Sequence, residues 1–160
     1  MIGVIGSGDP EKRHDPLAIE VGTLIARYGA VTVCGGLSGI MEAVCRGAVQ
    51  EGGTTIGILP GSNKNEANPH ITFPIPTGLG VARNVLVVRT ADALVALPGG
   101  SGTLSEIALA LNIGKPVVDL GGWGMENVRA ASTANEAVLL ALELCEVSRD
   151  KRDQQALSGK

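Results

Sequence analysis

The stretch ALPGGSGTLSEIALAL, residues 96–111, sets four small residues, Gly99 to Gly102, between an apolar run and a helical pattern. One acid, Glu106, stands just inside that pattern. Glycines at a helix entrance leave backbone N–H groups bare, and the first turn carries the positive end of the helix dipole. Such an entrance suits an anion, phosphate above all. Two further glycine loops, Gly6-Ser7-Gly8 and Gly35-Gly36-Leu37-Ser38-Gly39, also follow apolar runs. The candidate ligand contacts are therefore Gly6, Ser7, Gly8, Gly35, Gly36, Ser38, Gly39, Gly99, Gly100, Ser101, Gly102 and Thr103. Each has a plainer reading as turn or cap. Glu106 could serve only the dipole of its own helix, worth about 0.3–1 kcal/mol.

The elements that must position these loops alternate. Strands are expected at Ile2–Ile5, Val31–Cys34, Thr54–Leu59, Ala93–Leu97 and Pro116–Leu120. Helices are expected at Pro16–Tyr28, from a Ser38 cap to about Gln50, and at Gly80–Arg89, Thr103–Asn112 and Thr133–Cys145. The proline-rich stretch from Pro60 to Pro76 reads as a long loop with a short strand, placed to act as a lid. Strand–helix alternation with short connections predicts one doubly wound, mostly parallel α/β sheet flanked by helices, Rossmann-like, over residues 1–148. A polar tail, 149–160, follows. Ligands of such sheets bind beyond the carboxyl ends of the strands, where the strand order reverses.

Composition narrows the partners. Of 160 residues, 44% are hydrophobic and only 2% aromatic, so Val, Ile, Leu and Ala must build the core. Net charge is -3, and no basic stripe marks a nucleic-acid surface. Cys34, Cys45 and Cys145 show no metal-binding spacing, and no protein-held metal is expected. Reduced cysteines, no secretory pattern at MIGVIGSG and no long apolar run point to a cytoplasmic protein away from membranes. His14 and His70 read as loop residues, and Met41 and Cys34 as core. Glu42 fits either a pocket rim or an ion pair.

Several nucleotide chemistries are excluded. Glu11 stands where the third glycine of a dinucleotide fingerprint belongs, and Cys34-Gly35-Gly36 lacks the acid that holds a ribose diol. NAD and FAD are therefore not expected. No GxxxxGK motif for nucleoside triphosphates and no GxSxG nucleophile elbow occurs.

LPGGSGTLSE resembles the PGGxGTxxE signature of the lysine-decarboxylase-like, or "lonely guy", Rossmann-type family, which includes phosphoribohydrolases that release a cytokinin base from its nucleoside monophosphate. CGGLSGIMEAVCRGA, GILPG, the run from Ala67 to Ile107 and GKPVV look closer to a short branch holding the molybdenum cofactor carrier proteins. The resemblance implies that Glu106 assists departure of the base or activates water, and that Arg83 orients the ligand. It also implies a homodimer or higher oligomer, for which helices 38–50 and 103–112 offer apolar faces. Two positions depart from the hydrolases. Ser105 replaces the first acid of a pair, and Asn84 replaces a lysine after Arg83. A pyridoxal-phosphate decarboxylase is not expected either, since Lys115, the nearest candidate lysine, begins a strand.

The reading is a carrier of a phosphate-bearing heterocycle, the molybdenum cofactor as bound ligand. A phosphoribohydrolase using Arg83 and Glu106, or a nucleotide-sensing module, are the alternatives.

Overall fold

The computed structural model describes residues 1–9 and 15–158, with 148–158 as backbone path only. Seven strands form one sheet: β1 (Ile2–Ile5), β2 (Thr32–Cys34), β3 (Thr55–Leu59), β4 (Phe73–Pro76), β5 (Ala93–Ala96), β6 (Val117–Asp119) and β7 (Arg129–Ala130). Their order is β4-β3-β2-β1-β5-β6-β7, and every neighbouring pair is parallel. The chain winds outward from β1 to β4, then returns to the other side of β1 at β5. The strand order therefore reverses between β1 and β5.

Parallel strands need both faces covered. Five helices do this: α1 (Asp15–Arg27), α2 (Ile40–Gln50), α3 (Asn84–Thr90), α4 (Ser101–Asn112) and α5 (Ala134–Ser158). Strand alternation divides the core. Ala93, Val95 and Leu97 join α1, α2 and α5 on one face; Leu94 and Ala96 join α3 and α4 on the other. All four residues of β1 and of β5 are buried.

Helices α1 and α2 cross closely because glycines face each other's backbone. A Cβ on Gly22 would strike the Val44 carbonyl, and one on Gly47 the Ile19 carbonyl. Helix α2 buries Ile40, Met41, Ala43, Val44, Cys45, Gly47 and Ala48 within the chain. Most of its apolar surface is thus spent in the fold, which corrects its assignment as an association face.

The other differences have local causes. Helix α4 begins at Ser101, not Thr103, because Gly100 already holds the cap position in an extended conformation. Ser38 does not cap α2. Gly39 does, at φ 67°, while Ser38 Oγ donates to the Gly8 carbonyl at 2.9 Å. A short 3-10 turn, Gly80–Arg83, precedes α3 where one continuous helix is predicted. Helix α5 continues past Cys145 to Ser158, since no glycine or proline stops it and polar helix formers carry it on without an apolar stripe. Strand β7 has two residues, too few for any periodicity. The proline-rich segment adds β4 to the sheet edge, where prolines cost no ladder bond.

Candidate functional site

The carboxyl ends of β1 and β5 deliver two of the glycine loops to one place. Ser7 N–H donates to the Pro98 carbonyl at 3.0 Å, tying the loops together, and Ile40 N–H donates to the Ser7 carbonyl at 3.0 Å. Above this junction lies a cavity of about 370 Å³. From the first loop it is lined by Gly6, Ser7 and Gly8, and from the third by Gly100, Ser101, Gly102 and Thr103. Gly35, Arg83 and Glu106 complete the expected set. Its size falls within the ~300–1,000 Å³ typical of small-molecule pockets.

The entrance to α4 is bare. No side chain caps it, and the first intrahelical acceptor, the Gly100 carbonyl, is taken by Leu104 N–H. An added Cβ on Gly100 or Gly102 would meet nothing within 4 Å. Those two glycines therefore keep space open rather than fit a contact.

Four expected residues fall outside the lining. A Cβ on Gly36 would strike Leu59, and one on Gly39 the backbone of Ser7, Gly8 and Asp9. Both have positive φ, so both serve the fold. Gly99 packs against Thr103, with no room for a side chain. Ser38 faces a smaller pocket with Glu42, Glu66 and Asn68, which also settles where Glu42 points. Nor does any residue of 60–76 line the cavity, so the lid expected there is not formed. Val81 stands at the rim instead, 87% exposed.

Val4, Ile5, Met41, Val81 and Asn84 are wall residues that sequence reasoning missed as such. Met41 belongs to the core and to the wall at once. The signal for Asn84 was its position beside Arg83. His70 and Arg89 lie elsewhere, and His14 lies outside the described residues. Lys115 Nζ donates to the Arg89 and Ala91 carbonyls, away from the cavity.

Two charged side chains are buried at the cavity, Arg83 (8% exposed) and Glu106 (7%). Arg83 reaches across to Gly35, where any side chain would collide with the guanidinium. Its Nη1 donates to Asn84 Oδ1 at 2.8 Å, while its buried Nε has no partner. Nη1 lies 4.0 Å from Glu106 Oε1, too long for a hydrogen bond. Burial dominates both groups. It pushes the Glu106 carboxyl up to about 7 against the pull of Arg83, and it lowers Arg83 against the pull of Glu106. The two side chains are buried at the cavity and do not meet in a hydrogen bond.

Beneath Gly35, Cys34 Sγ lies 3.5 Å from Cys45 Sγ and accepts from Gly36 N–H at 3.3 Å. The contact with Cys45, joined by the Gly36 N–H and Arg83, favours the thiolate at Cys34, while the same contact and burial push Cys45 up. Cys34, Cys45 and Cys145 are all buried. Among the described residues no group of His, Cys, Asp and Glu could hold a metal ion, and no helix is long and apolar enough to cross a membrane.

Solved structures share this architecture. A molybdenum cofactor binding protein from Rippkaea orientalis is 37% identical, with 89% of this chain and 95% of that one covered and a TM-score of 0.85. The molybdenum cofactor carrier protein of Chlamydomonas reinhardtii is 36% identical over 89% of this chain and 96% of its own, TM-score 0.80. A cytokinin riboside 5'-monophosphate phosphoribohydrolase of Mycobacterium tuberculosis is 35% identical over 117 residues. That match covers 68% of this chain but only 63% of the enzyme's length. The model of the SLOG cluster4 family matches residues 1–148, and the chain belongs to that family.

Proposed function

We propose that the chain binds a phosphate-bearing heterocycle at the β1–β5 cavity and carries it without converting it, the cargo being the molybdenum cofactor. The observation that carries this reading is the open, uncapped entrance of α4, with Gly100 and Gly102 facing empty space. Backbone N–H groups there receive the terminal anion. Arg83, whose side chain lines the cavity, is the second anion contact. The likeness to two molybdenum cofactor proteins over nearly their whole length supports the choice of cargo.

The pair Arg83–Glu106 supports a second reading, a nucleoside-monophosphate phosphoribohydrolase. A carboxyl near 7 suits a general acid at neutral pH, and Glu106 would protonate the departing base. Ser105 and Asn84 argue against it. Ser105 Oγ donates to the Gly102 carbonyl at 2.6 Å, and Asn84 only accepts from Arg83, so neither supplies a second charge.

Incubation with AMP, followed by chromatography for free adenine, separates the two. Under the carrier reading neither wild type nor Glu106→Gln releases base, and oxidation of protein purified from a cofactor-producing host yields pterin fluorescence. Release of adenine at enzymatic rates, cut about 10²-fold or more in Glu106→Gln, overturns the carrier reading.

A homodimer or higher oligomer is part of the proposal. The exposed apolar side chains Val81, Val85, Leu86 and Leu104 lie on α3, α4 and the turn before α3, and Leu79 directly precedes that turn. A sedimentation mass of one 16.3 kDa chain at micromolar concentration would exclude it.

A further inference from the structure

Among the described residues the cavity holds one cation, Arg83, and one acid, Glu106, for a ligand that brings its own negative charge. Glu106 hangs from the first turns of α4, beside the bare N–H groups of Ser101 to Thr103. Among the described residues, the charged or titratable side chains facing it are Arg83, from the 3-10 turn before α3, and the Cys34 thiol, from the end of β2. Asn84 faces the cavity as an uncharged amide. Among the described residues Glu106 accepts no hydrogen bond, and its ion-pair partner stands 4.0 Å away. Arg83 has a buried Nε with nothing to bind.

A ligand oxyanion entering this space competes for the Arg83 guanidinium. It offers Arg83 the hydrogen bonds that Glu106, at 4.0 Å, does not make. Glu106 then loses its counter-charge and gains a like charge within the same cavity. Both changes disfavour the carboxylate. The neutral acid, by contrast, gains a role, because its O–H can donate to a ligand oxygen.

We propose that Glu106 enters the complex as the neutral acid, so that an anionic ligand is taken up together with one proton from solvent and is released as that proton leaves. The inference rests on the cavity being an anion site, as argued above. Glu106 thereby becomes a specificity residue that favours hydrogen-bond acceptors on the ligand. It also makes the holding of cargo sensitive to pH around neutrality, because the empty site's carboxyl lies near 7.

The sign follows. Well below pH 7 the acid is already protonated and adds no pH dependence of its own. Above it, affinity falls on the order of tenfold per pH unit until the carboxyl ionises in the complex as well. The probe is carbocyclic AMP, whose base cannot leave as a glycoside. Its phosphate, with a second pKa of about 6, is about nine-tenths or more dianionic from pH 7 to 9. Titration calorimetry at pH 8 in Tris and in HEPES, which differ in ionisation enthalpy, counts protons directly. Wild type should take up close to one proton per ligand, since roughly nine-tenths of the free carboxyl is ionised one unit above its midpoint. Glu106→Gln should take up none and bind with the same affinity from pH 7 to 9.

Binding with no proton uptake by wild type overturns the inference and leaves the anion site standing. A pH slope that persists in Glu106→Gln overturns it too, and places the proton elsewhere, Cys34 first. If carbocyclic AMP and sulfate both fail to bind wild type at pH 7, the anion-site reading fails and this inference with it.

Discussion

The loop after β2, Gly35–Gly39, and the loop after β5, Gly99–Gly102, are near twins in sequence: a strand, a glycine pair, small residues, then a helix. The structure uses them in opposite ways. In the first loop the glycines are there because neighbours leave no room. Gly36 sits against Leu59, Gly39 against the backbone of the β1 loop, and Gly35 against the Arg83 guanidinium. In the second loop Gly100 and Gly102 have nothing near them, and only Gly99 is packed. Glycine in the first loop permits contact within the protein, and in the second it preserves a vacancy at a helix dipole. Sequence gives the same letter for both.

Substituting each loop in turn breaks the comparison most directly. Gly39→Ala adds a Cβ 2.6 Å from the Ser7 carbonyl oxygen and 2.7 Å from that of Asp9, at a φ of 67°. Left-handed strain of about 1–3 kcal/mol and overpacking of similar size together give a loss of about 4 kcal/mol. For a chain of this length that lowers the melting temperature by about 10 °C. A thermal melt followed by circular dichroism checks it; a shift under 2 °C would show that the β1 loop yields freely and that the first loop is as open as the second.

Glu106 and Arg83 join the loops, one hanging from the second and the other pressed on the first. Their burial predicts the next largest effect. An acid raised from 4.5 to about 7 keeps its proton in the folded protein over a range where the unfolded chain has lost it. The stability it contributes is complete below pH 4.5 and is lost as pH rises through 7, about 3 kcal/mol in all. Glu106→Gln removes that dependence. Relative to wild type, the variant should gain about 6–12 °C in melting temperature between pH 4.5 and pH 8. Parallel melting curves at the two pH values would show a carboxylate already satisfied by Arg83, and no electrostatic tension between the loops.

The fold was largely legible because parallel strands buried on both faces read as apolar runs ending in glycine, as β1 and β5 do. The cavity lining was legible along the loops after β1 and β5 for the same reason. Side walls and closure were not. Val81, Met41 and Asn84 reach the cavity through tertiary placement: a 3-10 turn brings Val81 to the rim, and Met41 is shared between core and wall. The segment 60–76 looked like a lid because it is long and polar. It reaches the sheet instead, since Thr55 Oγ1 donates to the His70 carbonyl at 2.6 Å and accepts from Thr72 N–H at 2.8 Å, docking the strand that follows. Hydrogen bonds of one threonine carry no periodic signal.

Gly100→Asp tests the second loop as a binding surface. The added side chain enters open space, so stability should change by less than about 1 kcal/mol. A like charge at the anion's position costs several kcal/mol, which weakens carbocyclic AMP about 100-fold. Unchanged affinity in the folded variant would mean that the vacancy at Gly100 has no ligand to serve.

The smallest expected effect is the most discriminating, because it gives stability and binding opposite signs. Gly102 is the second residue of α4, with a helical backbone and space for a methyl group. Nothing in the fold asks for glycine there. Alanine is the better helix former and reduces the entropy of the unfolded chain, so Gly102→Ala should stabilise by about 0.5 kcal/mol, roughly 1–2 °C. In the first loop no glycine offers such a gain. If the bare backbone of α4 is where an anion sits, the same methyl group stands in its approach and affinity drops a few-fold, a cost about equal to the stability gained. A variant that is more stable and binds as well as wild type would show that Gly102 is free of both roles, and that the second loop's openness is an accident of packing rather than a site.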